Sequence, residues 1–378
     1  MKGRPLRTAF LFNLTGKQKN MTHQELEQLI ATKTVADVDL GGMTLEGLDF
    51  SGCTITHVNF KNAHLRHCRF DEAVMDSCDF DHSGPADEPT LQSVSFRKAE
   101  LNNCRFRYAY MVWSDFRYAR LNQGTFEDAV VDYCDFYRCF MEWVIIFKHA
   151  RISNSSLNNT YFGDAANIRR ENLYKGRIVQ QSKSVFTKFL VDWHNYGTGE
   201  RTNDSRQVSD WSAADAVKNR WNEAEDIYKT LNGLWAGKGY IADANWAYVQ
   251  GRRMERRRMM SDMSNPKIPF WEKVGNVWRI FTNALSDLFF GYGESMLKMI
   301  LTYIVTVFFF AFLFSEEVSP LAYIDALGVS LKNMAGVDSD VLSNVSPFVD
   351  MLNVLQTTLG ILLTGIFGFI LGNKIRNQ

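Results

Sequence analysis

Apolar residues return at every fifth position from Leu40 onward: Leu40, Leu45, Phe50, Ile55, Phe60, Leu65, Phe70, Met75 and Phe80. Two places before each stands a smaller or apolar residue, among them Val38, Cys53, Ala63 and Cys78. The register slips across 83–89, resumes at Phe96 and holds through Met141. After a further slip near Ile146 it closes with Ile152, Leu157 and Phe162. A period of five fits neither a helix nor a flat strand. It fits a short extended piece with two inward residues, one skipped between them, followed by a corner. Units of fixed period stack and bury one continuous core, so a solenoid is expected.

On either side of this array the spacing is helical. Thr22-His23-Gln24-Glu25 reads as a capping box that opens a short helix, with Leu26, Leu29 and Ile30 on one side to cover the first coil. Beyond Phe162, Asn195 to Ser209 is a polar loop. Trp221, Ala224, Tyr228, Leu231 and Trp235 then share a helical face, and a turn at Ala236 to Gly239 leads into a second helix with Ala242, Trp246 and Val249 together. Gly237-Lys238 is no phosphate loop, since Asn232 stands where the first glycine belongs and Gly239 replaces the Ser/Thr. After Pro269, Phe270, Val274, Val277, Trp278, Phe281, Leu285 and Leu288 line one face, opposite Glu272, Asn276, Arg279, Asn283 and Asp287. Such a helix suits the headgroup layer of a membrane, with ordinary packing against a soluble domain as the alternative.

The final stretch is different again. Ser295 to Phe314 and Phe348 to Leu371 are nearly unbroken apolar runs, each close to the ~20 residues a helix needs to cross the hydrocarbon core. Between them come Glu316 and Glu317, an apolar helix-compatible segment from Pro320 to Met334, and then Ala335-Gly336-Val337-Asp338-Ser339-Asp340. A half-length helix followed by irregular backbone survives at membrane depth only where it is buried in protein or lines water. Span, short helix, loop, span is the plan of a pore. On the second span, Asn353, Thr357, Gly360 and Thr364 recur at helical spacing and suit a wet axis. Gly360, Thr364, Gly368 and Gly372 also form a small-residue series that favours close helix packing.

Charge orients these spans. Lys267, Lys273, Arg279 and Lys298 precede or begin the first, Lys374 and Arg376 follow the second, and the connection holds Lys332 against five acids. Both termini are therefore expected in the cytoplasm, with the chain multi-pass in the cell (inner) membrane. Arg252, Arg253, Arg256, Arg257 and Arg258, just ahead of the first span, are expected to face anionic headgroups. Lys+Arg and Asp+Glu balance at 42 each, so no nucleic-acid partner is expected. The apolar run Ala9 to Phe12 is too short for a signal peptide.

The period-five array resembles the pentapeptide-repeat family. The resemblance implies a right-handed, four-sided β-helix with four pentads to a coil and Phe stacked on Phe on two opposite faces. About twenty-three pentads make roughly six coils, a rod on the order of 25–30 Å long at ~4.8 Å per strand. All six cysteines (Cys53, Cys68, Cys78, Cys104, Cys134, Cys139) fall in the small inward slot and are expected to be buried and reduced. His64 and His67 face outward while Cys68 faces in, so neither zinc nor any other cofactor is expected. The helical pair resembles a single tetratricopeptide-like hairpin. The last segment resembles the two-helix pore domain of the potassium-channel superfamily, in particular bacterial proteins that join it to pentapeptide repeats. Residues 325–331 stand where that family places its pore helix, and four copies are implied. Potassium selectivity is not, because the Thr-Val-Gly-Tyr-Gly filter is replaced by the Ala335–Asp340 stretch, with one glycine and two acids.

The expected organisation is multidomain: a cap at 1–36, a β-helix at 37–163, a helical adaptor at 164–264, an interfacial helix at 265–294 and a pore domain with a re-entrant loop at 295–378. No Ser/His/Asp or Cys/His set survives the inward–outward assignment, so an enzyme is not expected. Two functions fit. One is a homotetrameric cation channel whose β-helix serves as a cytoplasmic scaffold or sensor for an unknown protein or ligand. The other is a membrane-anchored interaction protein whose rod recruits a partner.

Overall fold

The five-residue period closes into a four-sided coil. The structure is a computed structural model and describes residues 21–85, 87–143, 145–187, 213–266, 268–318, 321–337 and 346–376. Short strands from β1 (Thr34–Ala36) to β13 (Tyr161–Phe162) stack in two parallel sheets, one of seven strands and one of six, each strand pairing with the next but one. The other two faces are held by isolated bridges, Asp39 to Asn59 to Asp79 on one and Asp49 to Arg69 to Ser95 on the other. Paired positions lie 20 residues apart in regular coils, as in Asn59 to Asp39, and 26 apart across the 83–89 insertion, as in Lys98 to Glu72. The register slip is thus a loop thrown out of one coil.

The bridged faces carry the phenylalanines. Phe50, Phe70, Phe96, Phe116 and Phe136 form one column, and Phe60, Phe80, Phe106, Phe126 and Phe147 the other. Centroids lie 4.6–5.1 Å apart, with planes within 14° of parallel. Rings of opposite columns meet at 5.8–6.3 Å, edge to face. Each such pair contributes ~0.5–1.5 kcal/mol beyond simple burial. All six cysteines are buried and free. Burial pushes the Cys68 thiol up to about 11, and it raises Cys134 and Cys139 too, which leaves them inert as nucleophiles.

The corners have their own chemistry. Asp49, Asp79, Asp115 and Asp135, each just before a phenylalanine, accept the backbone N–H two residues on at 2.9 Å. Short polar side chains are suited to closing such turns. Two residues after most inward centres the backbone is left-handed, as at His57 (φ 53), Asn62 (φ 60), Gln123 (φ 53) and Trp143 (φ 57). No Val, Ile or Thr occupies such a position among the described residues. A branched Cβ would collide with the following carbonyl there.

Helix α1 (His23–Ala31) begins at Thr22 with the reciprocal capping box to Glu25 and buries Leu26 and Ile30. The Cys53 thiol donates to the Ile30 carbonyl, so α1 lies over the first coil. At the other end the coil continues past 163: Ile152 bridges to Leu173, and buried Asn172 donates to the carbonyls of Phe147 (2.6 Å) and Ala150 (2.9 Å). The first compact unit runs to Val179, and a second takes up at Gln180.

The second unit is helical. α2 (Ala213–Gly237) and α3 (Ile241–Met263) form a hairpin around buried Ala224, Tyr228, Leu231 and Trp235. α4 (Phe270–Leu285) continues through a π turn (Ser286–Phe290) and a tight turn at Gly291–Gly293 into α5 (Met296–Glu317). α6 (Tyr323–Met334) and α7 (Pro347–Arg376) follow. Among the described residues, α5 and α7 are the two helices long and apolar enough to cross a membrane. They meet α6 through a buried cluster of Phe310, Phe314, Ala326, Val329, Val349 and Leu352. Ile304, Phe308 and Phe312 of α5 and Val354, Ile361 and Phe369 of α7 remain exposed.

Gln123 is exposed at a left-handed corner and reads out the corner rule. Gln123→Val is expected to destabilise the β-helix by roughly 1–2 kcal/mol, whereas Gln123→Gly should be neutral or mildly stabilising. Thermal unfolding followed by circular dichroism distinguishes the two. Equal effects of Val and Gly would show that the corner geometry does not matter.

Candidate functional site

Helix α6 is held between the two long helices by polar side chains in an otherwise apolar setting. Ser330 Oγ donates to the Val307 carbonyl of α5 at 2.8 Å. From α7, Gln356 Nε2 donates to the Ser330 carbonyl at 3.1 Å and also to Ser330 Oγ. Asn333 Nδ2 donates to Gln356 Oε1 at 3.1 Å. All three residues are buried. Bonds of this kind between helices in lipid contribute roughly 0.5–2 kcal/mol each. Ser330 and Asn333 stand three apart on one face of α6 and clasp α5 and α7 together.

The end of α6 is equally defined. Ala335 closes the helix and Gly336 turns left-handed (φ 71). The Gly336 N–H bonds to the Asn333 carbonyl (3.0 Å) and the Val337 N–H to that of Lys332 (2.9 Å). This pairing stops a helix while satisfying its last carbonyls. Of the expected filter, Ala335, Gly336 and Val337 therefore form a helix cap. Asp338, Ser339 and Asp340 lie outside the described residues.

The polar stripe expected on the second span divides. A Cβ at Gly360 would lie 2.6 Å from both the Cα and the carbonyl oxygen of Met334, so Gly360 is where the end of α6 presses against α7. Thr357 is half-buried and donates to the Asn353 carbonyl at 2.9 Å. Thr364 is exposed. Sequence reasoning missed Ser330, Asn333 and Gln356. The available signal was their polarity, because buried polar side chains in an apolar setting seek one another.

A second polar centre joins α3 to the first long helix. Asp287, in the π turn and 8% exposed, accepts from Arg253 Nη2 (2.9 Å) and Nε (3.1 Å), Arg256 Nη2 (3.1 Å) and Lys298 Nζ (3.0 Å). Burial opposes its charge, but the Arg253 and Lys298 bonds more than offset it and hold the carboxyl well below the usual range. A lowered folded-state pKa stabilises the fold at neutral pH. That contribution fades as the pH drops below the ordinary carboxylate pKa of about 4. The other arginines expected at headgroups also find partners inside the unit. Arg252 bonds Glu255, Arg258 bonds Glu225 at 2.8 Å, and Arg257 lies 4.9 Å over the Trp221 ring.

Comparison with known proteins bears on the first unit. Residues 40–84 match the family described as pentapeptide repeats (9 copies), and residues 90–123 match pentapeptide repeats (8 copies). This stretch is an array of pentapeptide repeats. Similar solved structures include HetL, a pentapeptide repeat protein involved in heterocyst differentiation regulation from the cyanobacterium Nostoc sp. strain PCC 7120. It is 13% identical over 37% of this chain and 70% of that one, with a TM-score of 0.19. Rfr23 from the cyanobacterium Cyanothece 51142 is 12% identical over 40% and 96%, TM-score 0.20. A pentapeptide repeat protein of the Arabidopsis thaliana thylakoid lumen is 20% identical over 32% and 68%, TM-score 0.13. No curated protein matches the chain.

Gly360→Ala forces α6 away from α7 and is expected to cost roughly 1–3 kcal/mol, as overpacking does. Gly365→Ala, where the added carbon meets open space, should be near neutral. The midpoint of thermal unfolding in mild detergent checks both. Similar midpoints for the two variants would contradict the close approach.

Proposed function

We propose that the chain is a subunit of a homotetrameric membrane channel that conducts cations without selecting potassium, with its pentapeptide-repeat β-helix as a cytoplasmic scaffold or sensor. The observation that carries this reading is α6. A short helix pinned between two membrane-length helices by the Ser330–Gln356–Asn333 clasp is what a re-entrant pore helix requires. A plain anchor has no use for it. The end of α6 bears the negative pole of its helix dipole, and Asp338 and Asp340 follow it in the sequence. Repeated around an axis, these acids with Glu316, Glu317 and Asp325 concentrate cations at a mouth. One hairpin encloses no pore, so several copies are required.

The second reading, a membrane-anchored interaction protein, draws support from the surface of the later coils. Trp113 stacks on Tyr133 with centroids 4.2 Å apart, and Trp143 is 67% exposed. Aromatic side chains of this kind are favoured at protein contacts.

Purified protein recorded in a planar bilayer with asymmetric salt separates the readings. The channel reading expects cation-dominated current with little preference between potassium and sodium. It also expects reduced conductance when Asp338→Asn is combined with Asp340→Asn. Chloride-dominated current, or a double variant identical to the parent, would remove these aspartates from the mechanism. Absence of current across repeated reconstitutions would favour the anchor.

A further inference from the structure

Helix α4 is built inside out for a soluble protein. Three residues of its polar side, Asn276, Asn283 and Asp287, pack inward while Glu272 and Arg279 stay exposed at its edge, and Asn283 donates to the Arg252 carbonyl at 3.2 Å while accepting from the Tyr292 hydroxyl at 2.6 Å. Asp287, one turn on, holds Arg253, Arg256 and Lys298. The opposite side points away from the unit. Trp271 is 79% exposed and Trp278 67%, and Phe270, Val277, Phe281 and Leu288 are exposed beside them. Packing against a soluble domain would bury the apolar stripe and expose the polar one, so the polarity here is reversed.

We propose that this aromatic face is a docking surface for a lipid leaflet, entered by apolar insertion and not by attraction to headgroup charge. The inference rests on the membrane reading of α5 and α7. Two observations select lipid over a protein partner. Exposed apolar residues continue along the chain from Phe281 and Leu288, through the turn at Gly291–Gly293, to Leu297 and Leu301 at the start of α5, where the Thr302 hydroxyl donates to the Phe289 carbonyl and keeps the two stretches adjacent. Tryptophan is also the residue that membrane interfaces collect. The mode of docking follows from the ion pairs. Arg253 and Arg256 bond Asp287, Arg252 bonds Glu255 and Arg258 bonds Glu225, so these guanidiniums are engaged within the unit, and the Asp287 pairs lie on the side of α4 opposite its aromatic face. The expectation that the arginines meet the headgroups is replaced by one in which they brace the helix from behind. The Asp287 bonds, reaching Lys298 on α5, fix the docked helix to the first span.

The test uses the full chain in nanodiscs of zwitterionic phosphatidylcholine brominated either high or low on the acyl chain. The fluorescence difference between the parent and the Trp271→Phe/Trp278→Phe variant reports these two rings. Shallow bromine should quench that difference at least twofold more than deep bromine. The quenching should persist at ~1 M salt, where charge interactions reach only about 3 Å. Chain that enters the discs with no quenching of the two rings would overturn the docking alone and assign the face to a protein, whether a second copy or a partner. Quenching that needs anionic lipid, or is lost at high salt, would overturn apolar insertion. Failure to enter the discs at all would overturn the membrane reading, and the docking with it.

Discussion

Gln356 sits in the middle of an apolar helix, fully buried, with a side-chain amide that can donate and accept. Left unpaired in that setting, such a group costs several kcal/mol on the scale of transfer to an apolar solvent. Ser330 and Asn333 answer it, and Ser330 in turn reaches the backbone of α5. Sliding α6 along either long helix would break several of these bonds together. The clasp therefore fixes the depth and rotation of the short helix. Gly360 sets its distance, because the backbone of Met334 occupies the space a side chain would need. Together they place the capped end at Ala335–Val337 at one defined point of the hairpin.

The same requirement operates in the other polar centre and in the β-helix. Asp287 is tolerable in a buried turn because three cations surround it, and the arrangement makes one rigid piece of α3, the π turn and the start of α5. In the β-helix each coil leaves two faces without regular strands. There, side chains such as Asp49 and Asp79 take over the turn amides while stacked phenylalanines fill the interior. Pairing and packing are solved coil by coil, which is why the array can repeat.

The β-helix was legible because its constraint is periodic: a residue that must face inward every fifth place leaves its mark in composition. Its end was not legible. The coil beyond Phe162 is held by the Leu173 bridge and by the Asn172 amide, neither of which follows the five-residue ruler. The α1 capping box and the α2–α3 turn were readable because their signals lie within a few adjacent residues. The clasp escaped because Ser330 and Gln356 are 26 residues apart, and only the folded hairpin brings them together. The ion pairs of the arginines escaped for a related reason. Position ahead of a span says that a cation is near a membrane, but not that Asp287 on the facing element has already engaged it.

The central claim is that the hairpin builds a pore with copies of itself, since one hairpin encloses nothing. Native mass measurement of the intact protein released from mild detergent or nanodiscs addresses it most directly. The account predicts a tetramer that persists in the full chain and weakens when residues 267–378 are removed. A monomer, or a dimer that keeps its association after that truncation, would contradict it.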